Sequence, residues 1–104
     1  MNLKMIKLNN LQYNANRDPA VYRRPVNTDF RLQALLGGSG QAKAKFVVDG
    51  HALCEETISL PGAFDCHFRF ESAGTRLGEL IIENNGSNVK HPIRVDVLEH
   101  APIG

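Results

Sequence analysis

The residues with the clearest potential for chemistry lie in the segment FDCHFRF, residues 64–70, where Cys66 and His67 are neighbours. Thiolate and imidazole are common ligands for zinc and copper, and a thiol beside a base is the arrangement of a cysteine nucleophile. In a strand, however, adjacent side chains point to opposite faces. Cys66 and His67 therefore do not converge on one ion or one substrate, and we expect no metal and no cofactor here.

The same segment has the alternating pattern of a strand with one buried face. One face carries Phe64, Cys66, Phe68 and Phe70, and the other carries Asp65, His67 and Arg69. A buried face requires this period of two, whereas a reactive centre does not. A thiol among phenylalanines is unreactive, because an apolar environment disfavours the thiolate. We therefore predict a strand, no catalytic residues and a protein that is not an enzyme.

The two cysteines, Cys54 and Cys66, bear on the compartment as well as on the chemistry. One pair is compatible with a disulfide in an exported protein or with two reduced thiols in a cytosolic one. The N-terminus has an early lysine but no continuous apolar region, so it lacks the pattern of a signal peptide. If Met1 is the natural start, the protein is expected in the cytoplasm, with both cysteines reduced. If Met1 follows a leader that has been removed, the protein is exported, and a bridge through the core is the alternative.

A basic cluster lies in residues 14–27, NANRDPAVYRRPVN, which have two prolines and little periodicity and are predicted to form a long loop. Arginines bind phosphate or carboxylate groups through paired hydrogen bonds. The candidate binding residues are Arg17, Tyr22, Arg23 and Arg24. The alternative is a solvated loop in which the arginines pair with Asp18 or Asp29.

Length and charge restrict the classes of protein and partner. The chain has 104 residues, which suffices for one core, so residues 1–104 are predicted to form a single domain. Its 12 basic and 11 acidic residues give a formal net charge of +1, so nucleic acid is not an expected partner. No apolar run approaches the roughly 20 residues of a membrane span.

The elements that position these residues are predicted to be short strands separated by turns. Residues 4–13 and 41–48 alternate as strands do, and Asp49-Gly50 suits a tight turn. Residues 28–36 fit a strand or a two-turn helix, and we favour the strand because its neighbours are β-like. Turns are predicted at the GGSG of residues 37–40 and at Pro61-Gly62, and NNGSN is predicted to be a loop. A bulge is predicted near Glu55-Glu56.

The C-terminal half supplies two more strands. Leu80-Ile81-Ile82 is the continuous apolar run of a central strand, and Pro92 confines its end of the last strand to a sheet edge or a bulge. About seven strands at this spacing predict an antiparallel sandwich or barrel. The predicted core comprises Phe46, Val48, Phe64, Phe68, Phe70, Ile82 and Val95.

The order of these features resembles the bacterial immunoglobulin-like accessory domains of the cell-adhesion-related type called CARDB. The resemblance covers residues 28–98 and rests on four pieces, FRLQALLGGSGQAKAKFVVDG, ISLPGAFDCHFRF, SAGTRLGELIIEN and HPIRVDV. It implies an antiparallel immunoglobulin-like β-sandwich of about seven strands. The matching positions are turn and core residues, so the resemblance implies a fold and no chemistry.

A sandwich of this kind suggests a function in binding rather than catalysis. Edge strands present unpaired backbone groups that a partner strand can use. We therefore predict a non-catalytic module that binds a protein partner, or its own copy, through an edge strand or the 14–27 loop. The alternative is a module that binds a small ligand or a carbohydrate through the basic loop.

Overall fold

The computed structural model describes residues 1–13 and 22–100, which form one curled sheet with the shape of a half-barrel. Its strands are β1 (Asn2–Leu8), β2 (Leu11–Gln12), β3 (Arg23–Pro25), β4 (Phe30–Val48), β5 (His51–Phe68), β6 (Gly74–Asn84) and β7 (Ser87–Leu98). The order across the sheet is β2-β1-β4-β6-β7-β3, and β5 pairs with β4 off this path. The prediction of an all-β protein is confirmed.

The sheet is mixed, so the prediction of a purely antiparallel sheet is wrong. β3 runs parallel to β7, with Arg23 opposite Asp96 and Pro25 opposite Leu98, whereas the other pairings are antiparallel. A tight hairpin turn enforces antiparallel pairing, and no such turn links β3 to β7. The predicted loop over residues 14–27 thus contains a short strand, while residues 14–21 lie outside the described residues.

Three two-residue turns set the register of the hairpins. They are Asn9-Asn10, Asp49-Gly50 and Asn85-Gly86, and each joins two residues that pair directly in the sheet. Both turn residues have positive φ in each case, which is the geometry of the turn that matches strand twist and that Asn, Asp and Gly adopt readily. The predicted turn at Asp49-Gly50 is confirmed, and the predicted loop NNGSN is a tight turn.

The segment 28–36 is a strand from Phe30 onwards, which settles the choice between strand and helix. Phe30, Leu32, Ala34 and Leu36 are buried, while Leu35 between them is exposed. Burial therefore repeats every two residues, as a strand with one covered face requires. A helix would instead have buried Leu35 and Leu36 together on one stripe.

β4 and β5 are uninterrupted, so the predictions of turns at residues 37–40 and 61–62 are wrong. The long hairpin bends there instead, and its register shifts where Leu36 and Gly40 face Gly62 and Leu60. Gly38 and Gly40 have φ of 111° and 84°, values that favour glycine because it has no Cβ. We call residues 30–36 and 62–68 the first arm, and residues 40–48 and 51–60 the second arm.

The bend turns the inner faces of the two arms towards each other. The Phe68 ring in the first arm lies 5.1 Å from the Phe30 ring in the same arm and 5.0 Å from the Phe46 ring in the second arm, between centroids. Edge-to-face and offset aromatic contacts at such distances add stability beyond the area they bury. The phenylalanines of the two arms therefore form one core.

Cys54 and Cys66 form a disulfide that joins the arms within β5. Their Cα atoms are 5.8 Å apart although the residues belong to the same strand. A straight strand would separate them by about 40 Å, at roughly 3.3 Å per residue. The expectation of reduced cysteines is wrong, because the bend in the hairpin brings the two residues together.

The predicted core is largely confirmed. Phe46, Val48, Phe64, Phe68, Ile82 and Val95 are buried. Phe70 is partly buried and packs against this cluster, with the Arg76 guanidinium 4.2 Å from the centre of its ring. The predicted bulge lies elsewhere: the register shifts where Phe46 and Val47 face Cys54 and Ala52, so Leu53 is the extra residue rather than Glu55 or Glu56.

Candidate interaction edge

Within residues 22–27, the described part of the 14–27 segment, the predicted binding residues are held by packing and pairing. Arg17 lies outside the described residues. Tyr22 belongs to the core, and the Arg94 guanidinium lies 5.3 Å from the centre of its ring. The Arg23 guanidinium lies 3.4 Å from the Asp96 carboxylate, and Arg24 donates to the Arg23 backbone carbonyl at 2.9 Å. Tyr22 and Arg23 are thus engaged in packing and pairing.

Asp96 is the buried carboxylate that connects three strands. It accepts hydrogen bonds from Thr75 of β6 at 2.9 Å and from Arg94 at 3.0 Å, in addition to the contact with Arg23 of β3. Desolvation by burial would raise the pKa of Asp96, but the hydrogen bonds from Arg94 and Thr75 outweigh it, so the pKa lies below its ordinary value. The cluster fixes β3 to the sheet.

We expect Asp96→Asn to lower the free energy of unfolding at pH 7 by about 2 kcal/mol, because hydrogen bonds to a charged group are lost. A carboxylate with a depressed pKa in the folded state stabilises above its unfolded pKa, and this stabilisation disappears as pH falls through the folded pKa. Wild type should therefore lose its advantage over the variant below about pH 4. Urea titrations between pH 7 and pH 2 check this.

The matched control is Asp29→Asn, because Asp29 pairs with Arg69 at 2.6 Å while both side chains are more than half exposed. An exposed ion pair contributes about 0–1 kcal/mol, so this variant should differ little from wild type at any pH. Equal losses for the two variants at pH 7 would contradict the role assigned to Asp96.

β5 presents the longest open edge among the residues that the structure describes. It has 18 residues and pairs with β4 alone. On the opposite side of the sheet, the edge of β7 is partly covered: β3 pairs with residues 96–98, and the Tyr13 hydroxyl accepts the backbone N–H of Arg94 at 3.0 Å. Unpaired N–H and C=O groups along a strand are a template for another strand, so β5 is the candidate interaction edge.

The outer face of the first arm carries a fixed ionic cluster beside this edge. Arg31 of β4 donates to both oxygens of Asp65, at 3.1 and 2.6 Å. His67 lies on the same side, with its Nε2 3.6 Å from Asp65. The hydrogen bond from Arg31 holds the pKa of Asp65 below its ordinary value. Asp65, His67 and Arg69 thus lie on the outer face of the strand, and Phe64 and Phe68 lie on the inner face, as the alternating pattern predicts.

The second arm presents a different set of groups along the same edge. Lys43 of β4 lies 2.7 Å from Glu55, and this hydrogen bond lowers the pKa of the Glu55 carboxyl. Glu56 is exposed although it shares the inward phase of Cys54 and Ile58. A charge in an inward position discourages indiscriminate pairing of edges. The first arm of β5 is therefore the more permissive part of the edge.

Histidines and acids do not assemble into a metal site within residues 1–13 and 22–100, where no group of three potential ligands is close enough. His51 begins the second arm, whereas His67 lies in the first arm and His91 lies on β7. These positions do not converge on a common centre.

Two clefts open to solvent occur in the described part of the chain. One of about 270 Å³ lies between β1 and β7 and is lined by Leu3, Lys4, Met5, Ile6, Gln12, Tyr13 and His91. The other, of about 390 Å³, is lined by Val26, Glu71, Ser72, Ala73, Glu99 and His100. The first is smaller than the roughly 300–1,000 Å³ typical of small-molecule pockets, and the second lies in the lower part of that range.

No protein-family model, curated protein or solved structure matches this chain. No helix long and apolar enough to cross a membrane occurs in residues 1–13 or 22–100. The case for a functional site therefore rests on the geometry of the sheet.

The continuous β5 edge was missed by the sequence reasoning, which divided the strand at Pro61-Gly62. One signal could have revealed it: the GGSG of residues 37–40 and the LPG of residues 60–62 are nearly equidistant from the turn at Asp49-Gly50. Interruptions of the strand pattern at equal distances from a hairpin turn lie opposite each other in the two strands. Such a facing pair bends the hairpin and does not end it.

Proposed function

We propose that the protein is a non-catalytic interaction module that adds a strand of another polypeptide to the open edge of β5. The single observation that carries the proposal is that β5, a strand of 18 residues, pairs with β4 alone among the residues that the structure describes. Strand addition derives affinity from backbone hydrogen bonds, and the flanking side chains supply specificity. No group in the proposed contact needs to react.

Two further arguments favour the edge over a ligand site. The clefts are open to solvent, whereas a small-molecule site buries most of its ligand. Two of the residues predicted to hold a ligand are already engaged, since the Tyr22 ring is buried and Arg23 is paired with Asp96. The module that binds a small ligand or a carbohydrate is therefore the less supported alternative.

We also propose that this module is immunoglobulin-like, in the manner of the CARDB domains. The bent hairpin supports a two-layered arrangement, because Phe68 of one arm packs on Phe46 of the other. The disulfide between Cys54 and Cys66 supports an oxidising compartment, because structural disulfides persist there. This favours the exported alternative over the cytoplasmic one.

Site-specific cross-linking tests the proposal. A photoreactive phenylalanine analogue is placed at Ser59 or Ala63, both exposed on β5, and at Leu77 of β6 as the control; the Leu77 side chain is 71% exposed. We expect covalent adducts with a polypeptide from the β5 positions and not from Leu77. The β5 amides of the complex should then exchange with deuterium at least about tenfold more slowly, because they become hydrogen-bonded.

Adducts formed as efficiently from Leu77 as from β5 would contradict the proposal. So would a complex that leaves the exchange of the β5 amides unchanged, since strand addition pairs those amides by definition.

A further inference from the structure

The first-arm part of β5 can pair with the same segment of a second copy, because its side chains are complementary when the two strands run antiparallel. If Cys66 faces Cys66 of a second copy in an antiparallel pair, Asp65 lies opposite His67 of that copy, and His67 lies opposite its Asp65. Directly opposite residues in antiparallel strands have Cβ atoms about 4.5–5.5 Å apart. An imidazole N–H can donate to a carboxylate at that separation, so the register provides two equivalent hydrogen bonds.

The inner face fits the same register. Phe64 lies opposite Phe68 of the second copy, and both side chains already belong to the apolar face. The buried face of one copy would therefore continue into that of the other, and the polar face would continue likewise. In an isologous interface, if residue i contacts residue j of the second copy, then residue j contacts residue i of that copy. This register meets that condition on both the apolar and the polar face.

Neighbouring registers are less favourable. Centring the pair on Asp65 would place two carboxylates directly opposite each other, and centring it on His67 would oppose two imidazoles. Like groups in these positions destabilise an antiparallel pair. Arg31 also holds both oxygens of Asp65 from β4, which keeps the carboxylate on the outer face where the second copy would meet it.

The disulfide places the second arm close to the same axis. The Cα atom of Cys54 is 5.8 Å from that of Cys66, so Cys54 lies close to a two-fold axis that passes between Cys66 and its copy. Leu53, which is exposed beside Cys54, would lie near that axis. Burial of a large apolar side chain at the centre of a contact favours association.

We infer that the chain forms a symmetric dimer in which residues 64–68 of β5, in the first arm, pair with the same residues of a second copy about Cys66. This inference rests on the proposed function, because it names the strand that is added to the β5 edge. The contacts between Asp65 and His67 then set the register.

The test compares four forms of the oxidised chain by analytical ultracentrifugation over a range of concentrations: wild type, His67→Asp, His67→Lys and His51→Asp. We expect wild type to dimerise. His67→Asp should raise the dissociation constant at least about tenfold, because two carboxylates then face each other at both symmetric positions. His67→Lys should dimerise as wild type does, because an ammonium group opposite Asp65 also donates hydrogen bonds to the carboxylate.

His51→Asp is the matched control, since it makes the same chemical change at an exposed position of β5 in the other arm. It should leave the dissociation constant within about twofold of wild type. Thermal unfolding checks that all variants are folded, which is expected because 60% of the His67 side chain is exposed.

A wild-type chain that stays monomeric at millimolar concentration would overturn the inference. So would a dimer that His51→Asp weakens more than His67→Asp. In either case the proposed function is judged separately by the cross-linking experiment, where adducts from Ser59 or Ala63 to a different polypeptide would uphold strand addition while excluding the second copy.

Discussion

Phe68→Ala is expected to lower the free energy of unfolding by about 4 kcal/mol. The ring is almost fully buried and lies within 5.1 Å of the Phe30 ring, 5.0 Å of the Phe46 ring and 5.7 Å of the Phe70 ring, between centroids. Its removal leaves a cavity where the two arms meet. The Phe30 and Phe46 rings belong to different arms, so they cannot both move in to fill this cavity. Urea unfolding followed by circular dichroism measures the loss.

Leu77→Ala is the control for this substitution, because the Leu77 side chain is 71% exposed. Surface changes of this kind usually stay within about 0.5 kcal/mol. A loss below about 1.5 kcal/mol for Phe68→Ala would show that Phe68 does not join the arms as described. The urea dependence of the unfolding free energy should be the same as in wild type, since about the same surface is exposed on unfolding.

The second large effect concerns the disulfide. Replacing both cysteines, Cys54→Ala with Cys66→Ala, is expected to lower the free energy of unfolding by about 3 kcal/mol. The bond closes a loop with a sequence separation of 12 residues, and its removal releases conformational entropy in the unfolded chain. Urea unfolding of wild type, of reduced wild type and of the double variant measures the effect.

Reduced wild type separates the bond from the packing of the two sulfur atoms, because it retains both thiols. It should lose nearly as much stability as the double variant. The urea dependence should steepen in both forms, since an unfolded chain without the cross-link exposes more surface. A reduced protein as stable as the oxidised one would contradict the constraint that we assign to this bond.

The local features of the fold could be read from the sequence because they depend on neighbouring residues. The alternation through FDCHFRF placed Phe64 inward and Asp65 outward, and the Asp49-Gly50 dipeptide identified the hairpin between β4 and β5. Each of these follows from a period or from a backbone preference within a few residues.

The bend, the disulfide and the parallel pairing of β3 could not be predicted from the sequence, because each depends on residues that are distant along the chain. Glycines at residues 37–40 are compatible with a turn or with a bend, and only the matching break at residues 60–62 of β5 decides for the bend. The disulfide follows from that decision, because Cys54 and Cys66 meet only when the hairpin is bent. The parallel pairing of β3 with β7 places Arg23 against Asp96, and no local pattern links these two residues.

The candidate edge shares this difficulty. The prediction that an edge strand binds a partner does not say which strand lies at the edge, because the position of a strand in the sheet depends on every other pairing. The ionic cluster of Arg31 with Asp65 is likewise invisible in the sequence, since its members are 34 positions apart.

The parallel pairing of β3 with β7 has a consequence for the order in which the chain folds. Arg23 and Asp96 are 73 positions apart, so this contact closes a far longer segment than the two-residue turns of the hairpins, and longer closures cost more entropy. Hairpins form within about 1–10 μs, and β3 has a surface to join only once β6 and β7 are paired. β3 is therefore expected to dock last during folding and to detach first when the native protein opens locally.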